Sequence, residues 1–275
     1  MPDILMHALA ALIYALLAAH FWKVRWRGPV LGHPASGLRP AERALLLIAL
    51  VCHALSLHSQ IFGSGQMRFG FAIAVSVMLW LAITLYWVES LYARMDGLQI
   101  LGLPLAAVGV VLPLVFAAPH VLPNAGTPGF RIHFLAAMLA YSLFILAALH
   151  AVLMMVAERG LHRGRITPFL AGLPPLMRME ALLFRLIHIG FVLLSFTVIT
   201  GVFFSESLFG RAVRFDHKTV FALLSWAIFA LLIAGRHFRG WRGRIALRWT
   251  FAGFGSLLLA YLGSRFVLEF VLGRT

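Results

Sequence analysis

Twelve of the 275 residues are histidines, more than the nine aspartates and glutamates together. Four of them, His53, His58, His133 and His217, fall at one level, near the ends of three separate apolar runs. A neutral imidazole nitrogen is the commonest protein ligand for transition metals and a standard axial ligand for haem iron. Taken singly, a histidine at a membrane interface more often bonds to backbone or water; four at one level shift the balance toward ligation. His150 follows His133 by 17 residues and so lies roughly 25 Å deeper along the same helix, at a depth comparable to His188. These two form either an inner ligand pair or ordinary interhelical hydrogen bonds. His33, His162 and His237 lie in basic loops, where solvation explains them.

Other polar groups gather near the same outer level. The stretch GRAVRFDHKTV sets Arg211, Arg214, Asp216, His217 and Lys218 within two turns. Its cations suit an anionic group, and Asp216 either orients His217 through the second ring nitrogen or caps a helix. Arg265 lies about two-thirds along the last apolar run, where it must snorkel or find a partner such as Asp216 or an anionic ligand. The middles of the apolar runs hold almost no carboxylates, which argues against a proton-driven pump. Cys52 is the single cysteine, so an intrachain disulfide, a CxxC pair and CxxCH haem attachment are excluded. Without an HExxH, P-loop, GxSxG or dinucleotide fingerprint, no enzymatic activity is expected.

The elements that must position these groups follow from composition. Apolar residues make up 62% of the chain and charged residues 12%, about half the charged share of a soluble domain. Apolar runs at 4–22, 41–58, 69–88, 98–118, 131–157, 184–204, 217–235 and 246–270 predict an all-α polytopic protein of about eight transmembrane helices. It is read as a single integral membrane domain over residues 1–275. The first run has no basic segment ahead of it, and Lys23, Arg25 and Arg27 follow it, so it reads as a retained helix and not a signal peptide. With the N-terminus outside, the segments 23–43, 88–97, 158–185 and 236–248 are cytoplasmic and hold 16 of the 23 basic residues. The positive-inside rule therefore puts both termini on the outer, periplasmic side. It also accounts for most of the net charge of +14 without a nucleic-acid partner. Segment 158–183, broken by Pro168, Pro174 and Pro175, is expected along the inner surface, and GRHFRGWRGRIALRW is expected to anchor the last two helices at the interface.

The order of several segments carries a resemblance. His133 opens a span continued by AYSLFILAALHAVL; LPPLMRME, GFVLLSFTVITGVFFSESLFG, RFDHK and GWRGRIALRWTFAGFGSLLLAYLGSRFVLE follow. This order resembles the CcsA/CcmC/ResC-like cytochrome c assembly membrane family, above all its YpjD-type bacterial inner-membrane branch, and most strongly over residues 130–270. The resemblance implies haem handling at the outer membrane face. In that family a Trp-rich loop ending in WDPK cradles haem between two external histidines. His133 matches the first of these, and Asp216 and Lys218 match the Asp and Lys of the loop. The chain departs from the pattern in three ways: the loop tryptophans are absent around Arg214 and Phe215, His217 stands where the family has Pro, and Glu269 stands near the place of the second histidine.

Together these readings predict a protein that binds or passes haem b at an outer-face site. His133 would supply one axial ligand and His217 or His53 the other, with Arg214, Lys218 and Arg265 near the propionates. The expected partners are the bilayer, haem, and a membrane protein or an apocytochrome. The alternative is a haem-free scaffold or regulatory subunit of the same fold, for example beside an ion transporter.

Overall fold

The computed structural model describes residues 2–26, 37–92, 97–116, 120–122, 125–164, 167–209 and 217–266. The first four helices are α1 (Pro2–Phe21), α2 (Pro40–Phe62), α3 (Phe71–Glu89) and α4 (Leu98–Val115). Then come α5 (Pro128–His162), a single turn α6 (Pro168–Ala171), α7 (Leu176–Phe209), α8 (His217–Arg239) and α9 (Gly243–Leu258). A π turn, Leu259–Gly263, and a last helical turn, Ser264–Phe266, continue α9. Among the described residues eight helices, all of these but α6 and with the turns counted into α9, are long and apolar enough to cross a membrane. The protein is an all-α polytopic membrane protein.

Helix ends follow chemistry more local than apolarity. α2 starts at Pro40, whose missing N–H costs nothing in a first turn, and Glu42 accepts the Arg39 backbone N–H at 2.8 Å as in a capping box. The largest departure from the expected spans lies between α5 and α7. α5 continues to His162 and α7 opens at Leu176, so much of the stretch expected along the membrane surface is helix. Pro168, Pro174 and Pro175 confine the break to residues 163–175. At 1.5 Å per residue the 35-residue α5 and 34-residue α7 are each about 50 Å long, enough to cross the headgroup layers as well as the hydrocarbon.

α5 is the hub of the bundle. It packs along α7 and also meets α3 and α9, while α1 packs on α2 and α4, and α8 on α9. Ala136, Ala140, Ala147 and Ala151 are all buried on α5, and small residues at such spacing let neighbouring backbones approach closely. The fourth helix of the first half, α4, holds Pro104 and Pro113 within its length, as helices supported by neighbours in a membrane can.

One end of the bundle is rich in arginine, and hydrogen bonds and ion pairs to its glutamates tie its helices together. Glu42 meets His20 at 3.1 Å, Glu158 meets Arg244 at 2.8 Å, and Glu89 and Glu180 pair with Arg185 and Arg236. At this end the GRHFRGWRGR segment forms a tight turn as well as an interfacial one. The Trp241 N–H donates to the Gly235 carbonyl at 3.1 Å, and the Trp241 ring stacks on Trp249 with centroids 5.2 Å apart. The ring lies so close over Gly235 that a Cβ there would sit 2.2 Å from it. The opposite end carries a two-residue antiparallel ribbon, Arg68–Phe69 against His120–Val121, joining the α2–α3 and α4–α5 connections. Phe69 packs edge-on against Phe134 at 4.8 Å, so the ribbon covers the first turns of α5.

Candidate functional site

The first turns of α5 place His133 against α7. The Thr200 hydroxyl donates to the Phe196 carbonyl at 2.7 Å, so its single proton is committed and its oxygen accepts from His133 Nδ1–H, also at 2.7 Å. That bond fixes the ring and its tautomer, leaving the lone pair on Nε2, the arrangement in which a second partner orients a ligating histidine. Gly201 packs beside the ring, where a Cβ would make an ordinary van der Waals contact with His133 Cε1 at 3.6 Å.

Two further elements meet at this point. Lys218, in the first turn of α8, lies near enough for its charge to act on the His133 ring. Its ammonium also sits 5.6 Å from the centroid of Tyr261, within cation–π range. Tyr261 belongs to the π turn, a distortion frequent at functional sites. Ahead of that turn the Leu257 carbonyl accepts the Tyr141 hydroxyl at 3.0 Å, and the Tyr141 and Tyr261 rings meet at 6.1 Å. The site thus brings an oriented imidazole, a cation and an aromatic face together from α5, α7, α8 and the π turn. His217, the first residue of α8, is exposed beside Lys218. Arg214 and Asp216 lie outside the described residues.

Arg265 has its backbone in the last helical turn, and its side chain lies outside the described residues. The neighbouring Phe266 ring packs 5.5 Å from Phe71, the first residue of α3. Position 265 therefore sits at an end of the bundle and not at the intermediate depth expected from the apolar run.

The expectation that His53 serves as an iron ligand is corrected. His53 is wholly buried between α1, α2 and α3 and has both ring nitrogens engaged: Nδ1 accepts from the Tyr14 hydroxyl at 3.4 Å, and Nε2–H donates to Ser76 Oγ at 2.9 Å. It belongs to a second cluster. His7, equally buried, donates from Nδ1 to the Val110 carbonyl at 2.8 Å and accepts the Gln60 amide at Nε2, 2.9 Å away. His7 and Tyr14 are two turns apart on α1, as are His53 and Gln60 on the antiparallel α2, so the pairs stack as two polar layers. Every bond named here is made within the protein, and the layers fasten α1 to its neighbours. Interhelical bonds of this kind average about 0.6 kcal/mol in membranes, and orphaning a buried partner costs about 1–3 kcal/mol.

Three further histidines are placed as follows, and His33 lies outside the described residues. His58 is exposed with its ring against Phe62 at 5.4 Å. His150 Nε2–H donates to the Met179 carbonyl at 3.0 Å, and His188 Nδ1–H donates to the carbonyl of Phe184 on its own helix at 2.6 Å. Met179, the level of His150, and His188 are nine residues apart on α7, about 13 Å along the axis, so the inner pair is not brought together. Among the described residues no group of three or more His, Cys, Asp or Glu side chains is arranged to hold a metal ion. Thr200, Tyr141 and Tyr261 are site residues that sequence reasoning missed, because none of them stands in a recognisable motif.

Comparison with known proteins adds ancestry to this geometry. The family model described as Cytochrome C assembly protein matches residues 40–272, reaching well ahead of the 130–270 region in which the motifs lie. The chain is 30% identical over 268 residues to the inner membrane protein YpjD of Escherichia coli K12, covering 94% of this chain and 99% of that one. It is 29% identical over 214 residues to a 28.8 kDa protein of Azospirillum brasilense, covering 76% and 79% of the two chains. It is 31% identical over 126 residues to the cytochrome c biogenesis protein CcsA of a Synechococcus strain, covering 41% and 36%. With its eight membrane-crossing helices and a match over most of its length, the chain belongs to the cytochrome c assembly protein family.

Proposed function

We propose that this protein binds or passes haem b at the His133 end of the bundle and that this end faces the periplasm from a bacterial inner membrane. The observation that carries the reading is the His133 Nδ1–H bond to Thr200, which turns the lone pair of Nε2 into a pre-oriented donor. The donor set fits the group: imidazole for iron, the Lys218 ammonium for a propionate, and the Tyr261 ring for the porphyrin face. His217, exposed at the head of α8, is the second axial ligand in this reading. Arg214, Asp216 and Arg265 are its further propionate and orienting groups. Bound haem would supply the redox and ligand chemistry. The chain's own residues ligate, neutralise charge and exclude water, and break no bond themselves. An apocytochrome or another membrane protein would take the haem onward. A haem-free scaffold of the same fold is the competing reading, favoured by the replacement of the family's loop tryptophans around Arg214 and Phe215.

The absorption spectrum of the full-length protein, purified after expression with ample haem, separates the two readings. A Soret band with reduced α and β bands is expected. A colourless preparation overturns the haem proposal and leaves the scaffold. Orientation is tested separately, in intact cells carrying a Cys52→Ala background. His162→Cys at the arginine-rich end should be shielded from a membrane-impermeant thiol reagent; its labelling would put the His133 end in the cytoplasm.

A further inference from the structure

The arginine-rich end holds far more positive charge than its ion pairs consume. Around the ends of α5, α7, α8 and α9, Glu158 is engaged by Arg244, and Glu180 by Arg236 and by Arg242 at 3.7 Å. Arg159, Arg163, Arg178, Arg239 and Arg248 stand on the same helix ends, all exposed, and among the described residues no carboxylate pairs with any of them. Arg242 and Arg244 are themselves more than half exposed. Among the described residues at these four helix ends, two carboxylates therefore face eight guanidinium groups.

The placement is regular. Arg159 and Arg163 are one turn apart on α5, and Arg244 and Arg248 one turn apart on α9. The Glu158–Arg244 bond draws these two helix ends together, so the unpaired arginines flank it from both sides. The Trp241 ring, on the α8–α9 turn, stacks on Trp249 of α9, and tryptophan is characteristic of the headgroup level of a bilayer. The unpaired cations are all arginine, in a chain with only two lysines, Lys23 and Lys218. A guanidinium offers a planar fork that binds phosphate oxygens in pairs, which an ammonium does not.

We propose that this end of α5, α8 and α9 is a binding surface for the phosphodiesters of anionic phospholipids in the leaflet it faces. Arg159 and Arg163 from one side and Arg248 from the other grip the headgroup. The argument for a lipid occupant is charge complementarity at headgroup depth: the arginines end membrane-crossing helices, beside interfacial tryptophans, where an anionic lipid is the phosphate already at hand. Acidic segments of proteins carry carboxylates and no requirement for this depth.

The test uses the full-length protein in detergent, titrated with an equimolar mixture of dioleoylphosphatidylglycerol and dioleoylphosphatidylcholine, with bound lipid counted by native mass spectrometry. Wild type should retain phosphatidylglycerol in preference to phosphatidylcholine, and the preference should shrink as sodium chloride rises. Replacing Arg159, Arg163 and Arg248 together by Gln should weaken phosphatidylglycerol binding about a hundredfold, roughly fivefold per arginine. The same three positions changed to Lys should retain part of it, and Arg131→Gln at the opposite end should leave it unchanged. Should the triple Gln protein fail to fold, the wild-type preference and its salt dependence decide. Absence of any preference in wild type overturns the proposal and points to an acidic protein partner; so does a monodisperse triple Gln variant that binds as wild type does.

Discussion

His133→Ala should strip the purified protein of its haem absorption while leaving it monodisperse, because the side chain lies at a helix start and not among the fully buried residues of α5. Thr200→Val is the more discriminating change. It keeps the imidazole and removes the oxygen that accepts Nδ1–H, so the ring loses both its anchor and its fixed tautomer. Loss of such an orienting partner lowers metal affinity by about 10–100-fold. Thr200→Ser retains the hydroxyl and should bind nearly as wild type does. His217→Ala should turn a six-coordinate low-spin spectrum into a five-coordinate one without emptying the site. His53→Phe should leave the spectrum alone and lower only the melting temperature, since His53 serves Tyr14 and Ser76. A His133→Ala protein with wild-type haem content and spectrum would remove the site assignment outright.

What was legible in the sequence, and what was not, divides along a physical line. Hydropathy reports how long a segment can stay in hydrocarbon, and eight apolar runs became eight helices. It does not report where a helix ends once it leaves the hydrocarbon. α7 accordingly begins at Leu176, through the charged turns MRMEALLFR, and only Pro174 and Pro175 mark the boundary. Counting residues along each run is what grouped His53, His58, His133 and His217 at one level; rotation about the helix axis was not legible. Each residue turns the side chain by about 100°, and that angle sends His53 into the bundle while leaving His58 exposed. The two-turn spacing of His7 with Tyr14, and of His53 with Gln60, was the available sign that these polar groups share an inward face. Thr200 and Tyr261 left no such sign: a threonine bonded to its own helix and a tyrosine in a π turn acquire a role only through the helices beside them.

A large effect on stability is expected at Gly253, where α9 packs on α8. A Cβ at that position would lie 2.8–3.0 Å from carbons of the Phe229 ring. The ring cannot retreat. Phe229 is completely buried and its other face stacks on Phe144 at 4.0 Å, with 18° between the planes. Phe144, also completely buried, is backed by α7 at Gly190, where a Cβ would meet its ring at 3.1–3.3 Å. Two aromatic rings thus fill the space between two glycines, and four helices share the stack. Overpacking a closed site of this kind costs about 1–3 kcal/mol, and Gly253→Ala should lower the melting temperature of the detergent-solubilised protein by several degrees, at about 2–4 °C per kcal/mol for a chain of this size. Gly190→Ala, with its longer contacts, should cost less. Because both act on one stack, the double variant should depart from the sum of the two. Phe229→Leu, which frees volume beside Gly253, should restore part of the stability lost by Gly253→Ala although it is destabilising alone. An unchanged melting temperature in Gly253→Ala, or a Phe229→Leu change that merely adds to its loss, would show that the stack yields and that the packing of α9 on α8 is set elsewhere.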